Sequence, residues 1–367
     1  MPARYRHYGW LVSPYSAKTR AYLTYKGIPF DDIEPSGARL YGVIRRAVGR
    51  SVMPTVLTPE GAWLQDSSDI IDTLERRHPE PSVIPPGPRQ RVASLLLELH
   101  ADEWLPIVAM HTRWNRPENA RFAVDEFARS GFPRLPRALG RRLIRPIAGK
   151  MRSYLPPLGV TDATASGIER HLALLVSALE RQLADHPYLL GGRPCIGDFA
   201  LFGPLWAHVY RDPGSTDMFS EAPAVRAWMQ RLRARAPARG GEFLSDDQVP
   251  EALDPLFRQL FAEQFEFVLQ LADAIDRYCE AHPDAARVPR SLGAHDFTIG
   301  GAQGTRKLIT FSWWMAQRPL DVYHSLEAGA RASVDEWLER VGGREAMQRP
   351  VRNRFVREDF KMKLARV

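Results

Sequence analysis

Residues 9–20, GWLVSPYSAKTR, contain the turn around which the first part of the chain is organised. An aromatic-rich, strand-like stretch, Arg4–Trp10, runs into this segment. Ser13 fits the N-cap of the helix that follows, Pro14 fits its first turn, and Gly27 fits its end. The segment therefore predicts a strand, a short turn and a helix, in this order.

Strand and helix signals continue to alternate as far as residue 78. Further strand candidates are Phe30–Ile33, Thr55–Thr58 and Ala62–Leu64, and apolar residues with helical spacing are Leu40, Ile44 and Val48 and then Ile70, Ile71 and Leu74. Pro59-Glu60-Gly61 separates the last two strands as a hairpin turn. The order βαβαββα is that of an α/β thioredoxin-like domain, in which helices cover a sheet.

The rest of the chain divides by composition. Residues 79–88, PEPSVIPPGP, form a proline-rich linker after the domain of residues 1–78. Strand signals nearly vanish in residues 89–240, which predicts an all-helical domain. Residues 241–367 are expected to be a mostly helical extension packed on that second domain, because the stretch 253–279 is rich in apolar residues at helical spacing.

Finer signals are weaker in these later regions. Two sequences match the capping box that opens helices, Ser166-Gly167-Ile168-Glu169 and Ser333-Val334-Asp335-Glu336. Residues 295–304, HDFTIGGAQG, indicate a turn-rich strand or loop.

Composition excludes several classes of protein. The 367 residues carry a net charge of +7 without a run of like charges, so we expect no nucleic-acid partner. Cys195 and Cys279 are too few and too far apart for a disulfide framework, and their spacing fits no metal site. No stretch of 18 apolar residues and no apolar signal core occurs. The expectation is a cytoplasmic protein with no membrane partner and no bound metal.

Two further motifs follow the Ser13 turn. Pro54, in VMPTVL, precedes a strand, and a cis bond between Met53 and Pro54 would leave the Met53 backbone free to pair with an extended peptide ligand. Asp66 and Ser67, in WLQDSSDII, stand at the start of a helix. A helix start with a hydroxyl can hold a carboxylate and the neighbouring acid can pair with an ammonium, which together suit an α-amino acid head group.

In this order the three motifs resemble the glutathione-binding half of the glutathione transferases, closest to the serine-type, tau-class pattern. The resemblance implies that Ser13 activates the glutathione thiol, that Met53, next to Pro54, binds the cysteinyl backbone, and that Asp66 and Ser67 hold the γ-glutamyl group. GGRPCIGDFALFGPL, residues 191–205, is similar to the structural helix N-cap box of the family's second domain.

The chain departs from the family pattern at three positions. Asp66 is one methylene shorter than the usual glutamate, and Cys195 stands where serine or threonine is usual in the N-cap box. Val52 stands where related sequences often have a lysine for the glycyl carboxylate, and nearby Arg50 is the candidate substitute.

The implied reaction depends on a thiolate, because the neutral thiol is a poor nucleophile. A hydroxyl that donates to sulfur and a helix N-terminus aimed at it both favour ionisation, and Ser13 is positioned to provide both. Tyr8, Tyr15 and Ser16 are rival activators of the thiol. Glutathione would be the co-substrate and an electrophilic, largely apolar small molecule its acceptor.

Two other functions stay open at this stage. A glutathione-dependent thiol reductase would need a cysteine at the position of Ser13, so the serine argues against it. A non-catalytic binding or scaffold protein on the same fold is the other alternative, since a fold does not fix a function. Members of the resembled family are usually homodimers, and we expect the same here.

Overall fold

The computed structural model describes residues 4–234 and 240–365. Its strands are β1 Tyr5–Tyr8, β2 Phe30–Ile33, β3 Thr55–Leu57, β4 Trp63–Gln65, β5 Ser291–Ile299, β6 Ala302–Ile309, β7 Phe355–Glu358 and β8 Lys361–Leu364. Its α-helices in the first half are α1 Pro14–Lys26, α2 Gly37–Arg39, α3 Arg45–Val48, α4 Ser67–Arg77, α5 Pro88–Glu103, α6 Pro106–Trp114, α7 Pro117–Gly131, α8 Arg137–Arg152 and α9 Asp162–Asp185.

The α-helices of the second half are α10 Ile196–Pro204, α11 Pro223–Arg233, α12 Asp254–Gln259, α13 Glu266–Ala281, α14 Phe311–His324, α15 Ala328–Val341 and α16 Arg344–Met347. Three π-helical segments, Leu40–Ile44, Leu205–Tyr210 and Leu260–Phe265, continue α2, α10 and α12. Short 3₁₀ turns lie at Pro156–Leu158, Pro213–Phe219, Ser245–Asp247 and Glu251–Leu253.

The predicted fold class is confirmed. The first 77 residues contain a four-stranded mixed sheet in the order β2-β1-β3-β4, with β1 and β2 parallel and the other pairs antiparallel. Helices follow this sheet, and the C-terminal extension is mostly helical. The extension also contains two antiparallel hairpins, β5–β6 and β7–β8, and the first of them lies where a strand or loop was predicted.

The chain forms two compact units, each built from three segments. The first unit comprises Met1–Val83, Ala109–Tyr154 and Asp198–Gly241, and the second comprises Ile84–Val108, Leu155–Gly197 and Glu242–Val367. The four-part domain division inferred from the sequence stays a prediction.

Helix α1 has the ends that its sequence predicts. Ser13 caps its N-terminus, and Gly27 ends it with a left-handed backbone, φ 65°, whose amide donates to carbonyls of the last turn. Tyr22 and Lys26 of α1 both reach Glu75 of α4, at 2.6 Å and 2.7 Å. These buried contacts join α1 to α4 within the first unit.

The second unit packs its hairpin and helices around α5 and α9. Helix α5 contacts α14 and α15, and α9 contacts β6 and α12. Gly300 and Gly301 form the two-residue turn of the β5–β6 hairpin, and their φ angles of 51° and 79° are those that this tight connection requires.

Both predicted capping boxes were wrong. Helix α9 begins at Asp162, and Thr161 is its N-cap. The Thr164 hydroxyl accepts the Thr161 amide, so Ser166 lies in the first turns of the helix. Helix α15 begins at Ala328, and Ser333 lies in its interior. A serine followed by an acid three residues later also occurs on exposed helix faces, so the pattern alone does not identify a helix start.

Candidate functional site

The three sequence motifs meet at one end of the four-stranded sheet. Tyr8 of β1 is paired with Thr55 of β3, and Thr55 is paired with Gln65 of β4. The chain leaves β1 toward Ser13, enters β3 from Met53-Pro54, and leaves β4 into Asp66. Because Tyr8, Thr55 and Gln65 form one row across the sheet, the three motifs that adjoin them lie beside one another. We call Ser13, Met53, Pro54, Asp66 and Ser67 the sheet-end site.

Ser13 is the N-cap of α1. Its backbone is extended, and its half-buried hydroxyl oxygen accepts the amide of Ser16 at 3.2 Å. A hydroxyl that accepts one hydrogen bond still has its own proton to donate. The partial positive charge of a helix N-terminus adds to that donor, so Ser13 can stabilise an anion in two ways.

Asp66 and Ser67 occupy the equivalent position on α4. Asp66 is the N-cap, and its carboxylate accepts the Ser68 amide at 3.0 Å. The Asp66 backbone has φ 81° and ψ 134°, a conformation that costs a residue other than glycine roughly 1–3 kcal/mol. Ser67 is buried in the first turn. A strained acidic cap beside a second helix N-terminus is typical of a binding site.

Met53 joins the strand end to the Ser13 turn. The Met53–Pro54 peptide bond is cis, and the Met53 sulfur accepts the Trp10 amide at 3.4 Å. Trp10 is fixed in turn, because its indole N–H donates to the Pro35 carbonyl at 2.7 Å. The Ser13 turn and the Met53 segment are therefore held together by contacts that do not involve a ligand.

A buried arginine fixes the residue before Ser13. Arg113 forms two parallel hydrogen bonds with Asp212, at 2.8 Å and 2.7 Å, and also donates to the Val12 carbonyl at 2.9 Å. It donates to the ring nitrogen Nε2 of His208 at 2.8 Å. Burial lowers the pKa of His208 and raises that of Asp212. The neutral His208 ring can then accept from Arg113, and the whole arrangement positions Val12.

A buried lysine joins the two helix starts. Lys18 of α1 is completely buried, and its ammonium donates to the Ser68 hydroxyl at 3.2 Å. Ser68 is also the residue whose amide is capped by Asp66. The relative placement of α1 and α4 at the sheet-end site is therefore set by side chains as well as by the sheet.

The rival thiol activators lie in different surroundings. His7 contacts Thr19 of α1 at 2.8 Å, so Tyr8, the next residue on the strand, faces the opposite side of the sheet, where its ring stacks on Trp63. Ser16 is completely buried, and a Cβ on Gly9 would lie 2.4 Å from its hydroxyl oxygen. Tyr15 lies half-buried in the first turn of α1.

Arg50 lies apart from the helix starts. It follows Gly49, which ends α3 with a left-handed backbone of φ 76°, and it is exposed to solvent. Three residues separate it from Pro54, so it stands near the site in the chain. Its role toward a carboxylate stays a prediction.

Three residues that organise the site were not found from the sequence. They are Trp10, Lys18 and Arg113. Lysine and arginine are rarely buried, and neither position carries a local signal that distinguishes it from a surface residue. The sequence pattern places Trp10 only within a strand-like stretch.

The segment similar to the family's N-cap box leads into α10. Asp198, in α10, is buried and accepts the Trp228 indole N–H at 2.8 Å. Cys195 is buried just before this helix. Within residues 4–234 and 240–365 no group of three or more histidine, cysteine or acidic side chains is arranged to hold a metal ion. No helix in the same ranges is long and apolar enough to cross a membrane.

Comparison with protein families supports a relationship to the glutathione S-transferases. Residues 8–82 match the family model described as "Glutathione S-transferase, N-terminal domain", and residues 160–231 match "Glutathione S-transferase, C-terminal domain". The two models occur in the order expected from the sequence motifs. The first spans the whole sheet-end site.

Three solved structures illustrate the similarity. A glutathione S-transferase of Methylobacterium radiotolerans, in complex with glutathione sulfonate, has 23% identity and a TM-score of 0.40 over 66% of this chain and 98% of that one. The rice glutathione S-transferase GST1, in complex with glutathione, has 18% identity and a TM-score of 0.42. The match covers 64% of this chain and 93% of that one. The beta-etherase LigF of a Sphingobium species has 20% identity and a TM-score of 0.42. The match covers 63% of this chain and 95% of that one.

Proposed function

We propose that this protein is a glutathione transferase of the serine type, which joins the glutathione sulfur to an electrophilic, largely apolar small molecule. The observation that carries the proposal is the row Tyr8–Thr55–Gln65, which brings the starts of α1 and α4 to one end of the sheet. The match of residues 8–82 to the glutathione S-transferase N-terminal domain supports it.

In the proposed reaction Ser13 keeps the sulfur ionised. An ordinary thiol has a pKa of about 8.5, so reaction at neutral pH needs a shift of about 1–2 units, or about 1.4–2.7 kcal/mol. A hydrogen bond from the Ser13 hydroxyl to the thiolate, with the N-terminus of α1, supplies stabilisation of this size. The thiolate then attacks an electrophilic carbon, a carbon–sulfur bond forms, and the leaving group departs with its electron pair.

The rest of glutathione would be held by the other members of the sheet-end site. The Met53 backbone, beside cis-Pro54, would pair with the cysteinyl residue of the tripeptide. Ser67 and the start of α4 would bind the γ-glutamyl carboxylate, and Asp66 would pair with its ammonium. Arg50 is the candidate for the glycyl carboxylate.

Ser13 is favoured over the rival activators by its surroundings. The Tyr8 ring is on the sheet face away from α1, and the Ser16 hydroxyl is packed against Gly9. Ser13 alone combines a half-buried hydroxyl with the N-cap of α1.

The experiment compares two serines of the same turn. Ser13→Ala is expected to raise the pKa of bound glutathione by about 1–2 units and to lower kcat/KM with an activated chloronitrobenzene by about 10- to 100-fold, because a hydrogen bond to a charged group is lost. Ser16→Ala is the matched control, and we expect it to keep the thiol pKa and most of the activity. Equal losses in both variants would contradict the assignment of Ser13.

A second candidate is a glutathione-binding protein without turnover. The observation that favours it is that Ser13 and Asp66 both serve as helix caps. Capping alone accounts for their geometry, without a catalysed reaction. Retention on immobilised glutathione together with no conjugation of several electrophiles would support this candidate. Sedimentation of the same preparation would test the expected homodimer.

A further inference from the structure

The second unit buries an arginine, Arg306, with two side-chain nitrogen atoms that have no hydrogen-bond partner among the described residues. Arg306, on β6, is only 2% exposed, so its guanidinium is almost completely removed from water. Its Nε and Nη1 atoms are both buried without an acceptor. Removing a charge from water costs several kcal/mol per ion unless it is paired, so such a group calls for an explanation.

Aromatic rings surround the guanidinium. Its central carbon lies 4.2 Å from the ring centre of Phe267, 4.7 Å from that of Trp104 and 5.8 Å from that of Phe297. Ring faces attract a cation, but they do not accept its N–H groups as an oxygen atom does. The rings therefore form walls that hold Arg306 in place and leave its donors unsatisfied.

Other unpartnered nitrogen atoms lie beside Arg306. His295 is directly opposite it on β5, and among the described residues the only hydrogen-bonding group beside its buried ring nitrogen atoms is the Asp296 backbone. The indole Nε1 of Trp104 is also buried without an acceptor. We call Trp104, Phe267, His295, Phe297 and Arg306 the Arg306 cluster. Its open polar atoms include three that can only donate, on Arg306 and Trp104.

The cluster carries one buried positive charge at neutral pH. Burial lowers the pKa of Arg306 to about 10, and the attraction of Glu103 opposes this, so the guanidinium stays protonated. Burial and the charge of Arg306 lower the pKa of His295 to about 4, so that ring is neutral. The Glu103 carboxylate, whose charge acts on Arg306, accepts the Ser312 hydroxyl.

We propose that the Arg306 cluster is a binding site for the carboxylate group of a small organic acid. A carboxylate supplies the acceptor oxygens that Arg306 and Trp104 lack, and its single negative charge balances the single buried cation. The neutral His295 ring can donate a further hydrogen bond. Doubly charged phosphate would leave an unbalanced buried charge, so it fits the site less well. This site is separate from the sheet-end site in chemistry and in sequence.

The test measures thermal unfolding of the full chain at pH 7 in acetate, benzoate, phosphate or chloride at constant ionic strength. A ligand that binds only the folded protein raises the melting temperature with its concentration. We expect such a rise with acetate or benzoate, beyond that seen with chloride or phosphate. No rise with either carboxylate, or a larger rise with phosphate, would overturn the proposal.

Variants on one strand locate the effect. Arg306→Met keeps an unbranched side chain and removes the charge, and we expect it to weaken carboxylate binding by about tenfold or more, because hydrogen bonds to a charged group are lost. Lys307→Met removes an exposed charge from the next position of β6 and is expected to bind as the wild type does. Equal carboxylate binding by Arg306→Met and the wild type would refute the site.

Two further measurements remove dependence on a single variant. Without carboxylate, Arg306→Met is expected to melt above the wild type, because it removes an unpaired buried charge, and the order should reverse in saturating carboxylate. Trp104→Phe keeps an aromatic ring and loses only the N–H donor, so it should weaken binding several-fold. An unaltered affinity in Trp104→Phe would contradict the assigned hydrogen bond.

Discussion

Arg113 in the first unit and Arg306 in the second are both almost completely buried, at 1% and 2% exposure, yet they differ in the hydrogen-bond acceptors around them. Arg113 has a paired carboxylate, two backbone carbonyls and a histidine ring as acceptors. Arg306 has aromatic walls, and its Nε and Nη1 atoms find no acceptor in the part of the chain that the structure describes. The difference separates a buried charge that completes the protein's own structure from one that is left available to a ligand.

The same difference distinguishes the two sites. At the sheet-end site, Ser13 and Asp66 accept backbone amides, and Met53 and Ser68 have partners of their own. The Arg306 cluster has unsatisfied donors on side chains that come from separate elements. The first site is therefore organised before any ligand arrives, whereas the second lacks the acceptors that would complete it.

The largest effect is expected when the paired arginine is removed. Arg113→Met leaves Asp212 buried without its partner, so we expect the free energy of unfolding to fall by about 3–5 kcal/mol, as measured by urea denaturation. The double variant Arg113→Met/Asp212→Leu removes both charges and should recover part of this loss. If Arg113→Met and Arg306→Met proved equally destabilising, the contrast between the two arginines would fail.

A pH titration of stability sharpens the contrast for the second unit. The pKa of His295 is about 4 in the folded protein and ordinarily 6.5, so the unfolded chain binds more protons between these values. The free energy of unfolding should therefore fall as the pH drops from 6.5 to 4, by up to about 3 kcal/mol from this group. His100, whose pKa burial lowers to about 3, adds to the same trend.

The matched variant for this titration is His295→Phe. It retains a ring and cannot take up a proton, so its loss of stability on acidification should be smaller than that of the wild type by the contribution of His295. Parallel curves for the two proteins between pH 4 and 6.5 would show that His295 is accessible to protons in the folded state and would contradict its burial.

The smallest effect is expected at Asp66, where two roles can be separated. Asp66→Asn keeps an oxygen that can accept the Ser68 amide but removes the charge, so stability should change by less than about 0.5 kcal/mol. Glutathione affinity, measured by calorimetry, should fall by about tenfold if the carboxylate pairs with the γ-glutamyl ammonium. Asp66→Ala should lose both the cap and the affinity. Full affinity in Asp66→Asn would limit Asp66 to capping.

The fold of the first 77 residues could be predicted because its signals are local. Ser13, Pro14 and Gly27 act on the helix to which they belong, and the prediction of α1 was right at both ends. The Ser166 and Ser333 capping boxes failed for the complementary reason. Where a helix continues past a possible cap, packing of residues far apart in the chain decides its start.

The candidate site residues are likewise known from the sequence to different degrees. The three motifs were identified in order, and the register Tyr8–Thr55–Gln65 then explains why they lie together. The side chains that hold these motifs in place were not identified from the sequence. Arg113, for example, donates to Val12 across about a hundred residues of chain. Nothing in residues 295–304 beyond a turn-rich pattern indicated the Arg306 cluster.

By itself the sequence determined the α/β order of the first domain and the caps of α1, because each depends on neighbours a few positions away. It also indicated Ser13, Met53, Pro54, Asp66 and Ser67 as candidate site residues, and their roles stay a prediction. Only the tertiary structure decided which buried charges have partners. A salt bridge such as Arg113–Asp212 and an unsatisfied donor such as Arg306 depend on which distant side chains meet in space, and composition and periodicity carry no record of that meeting.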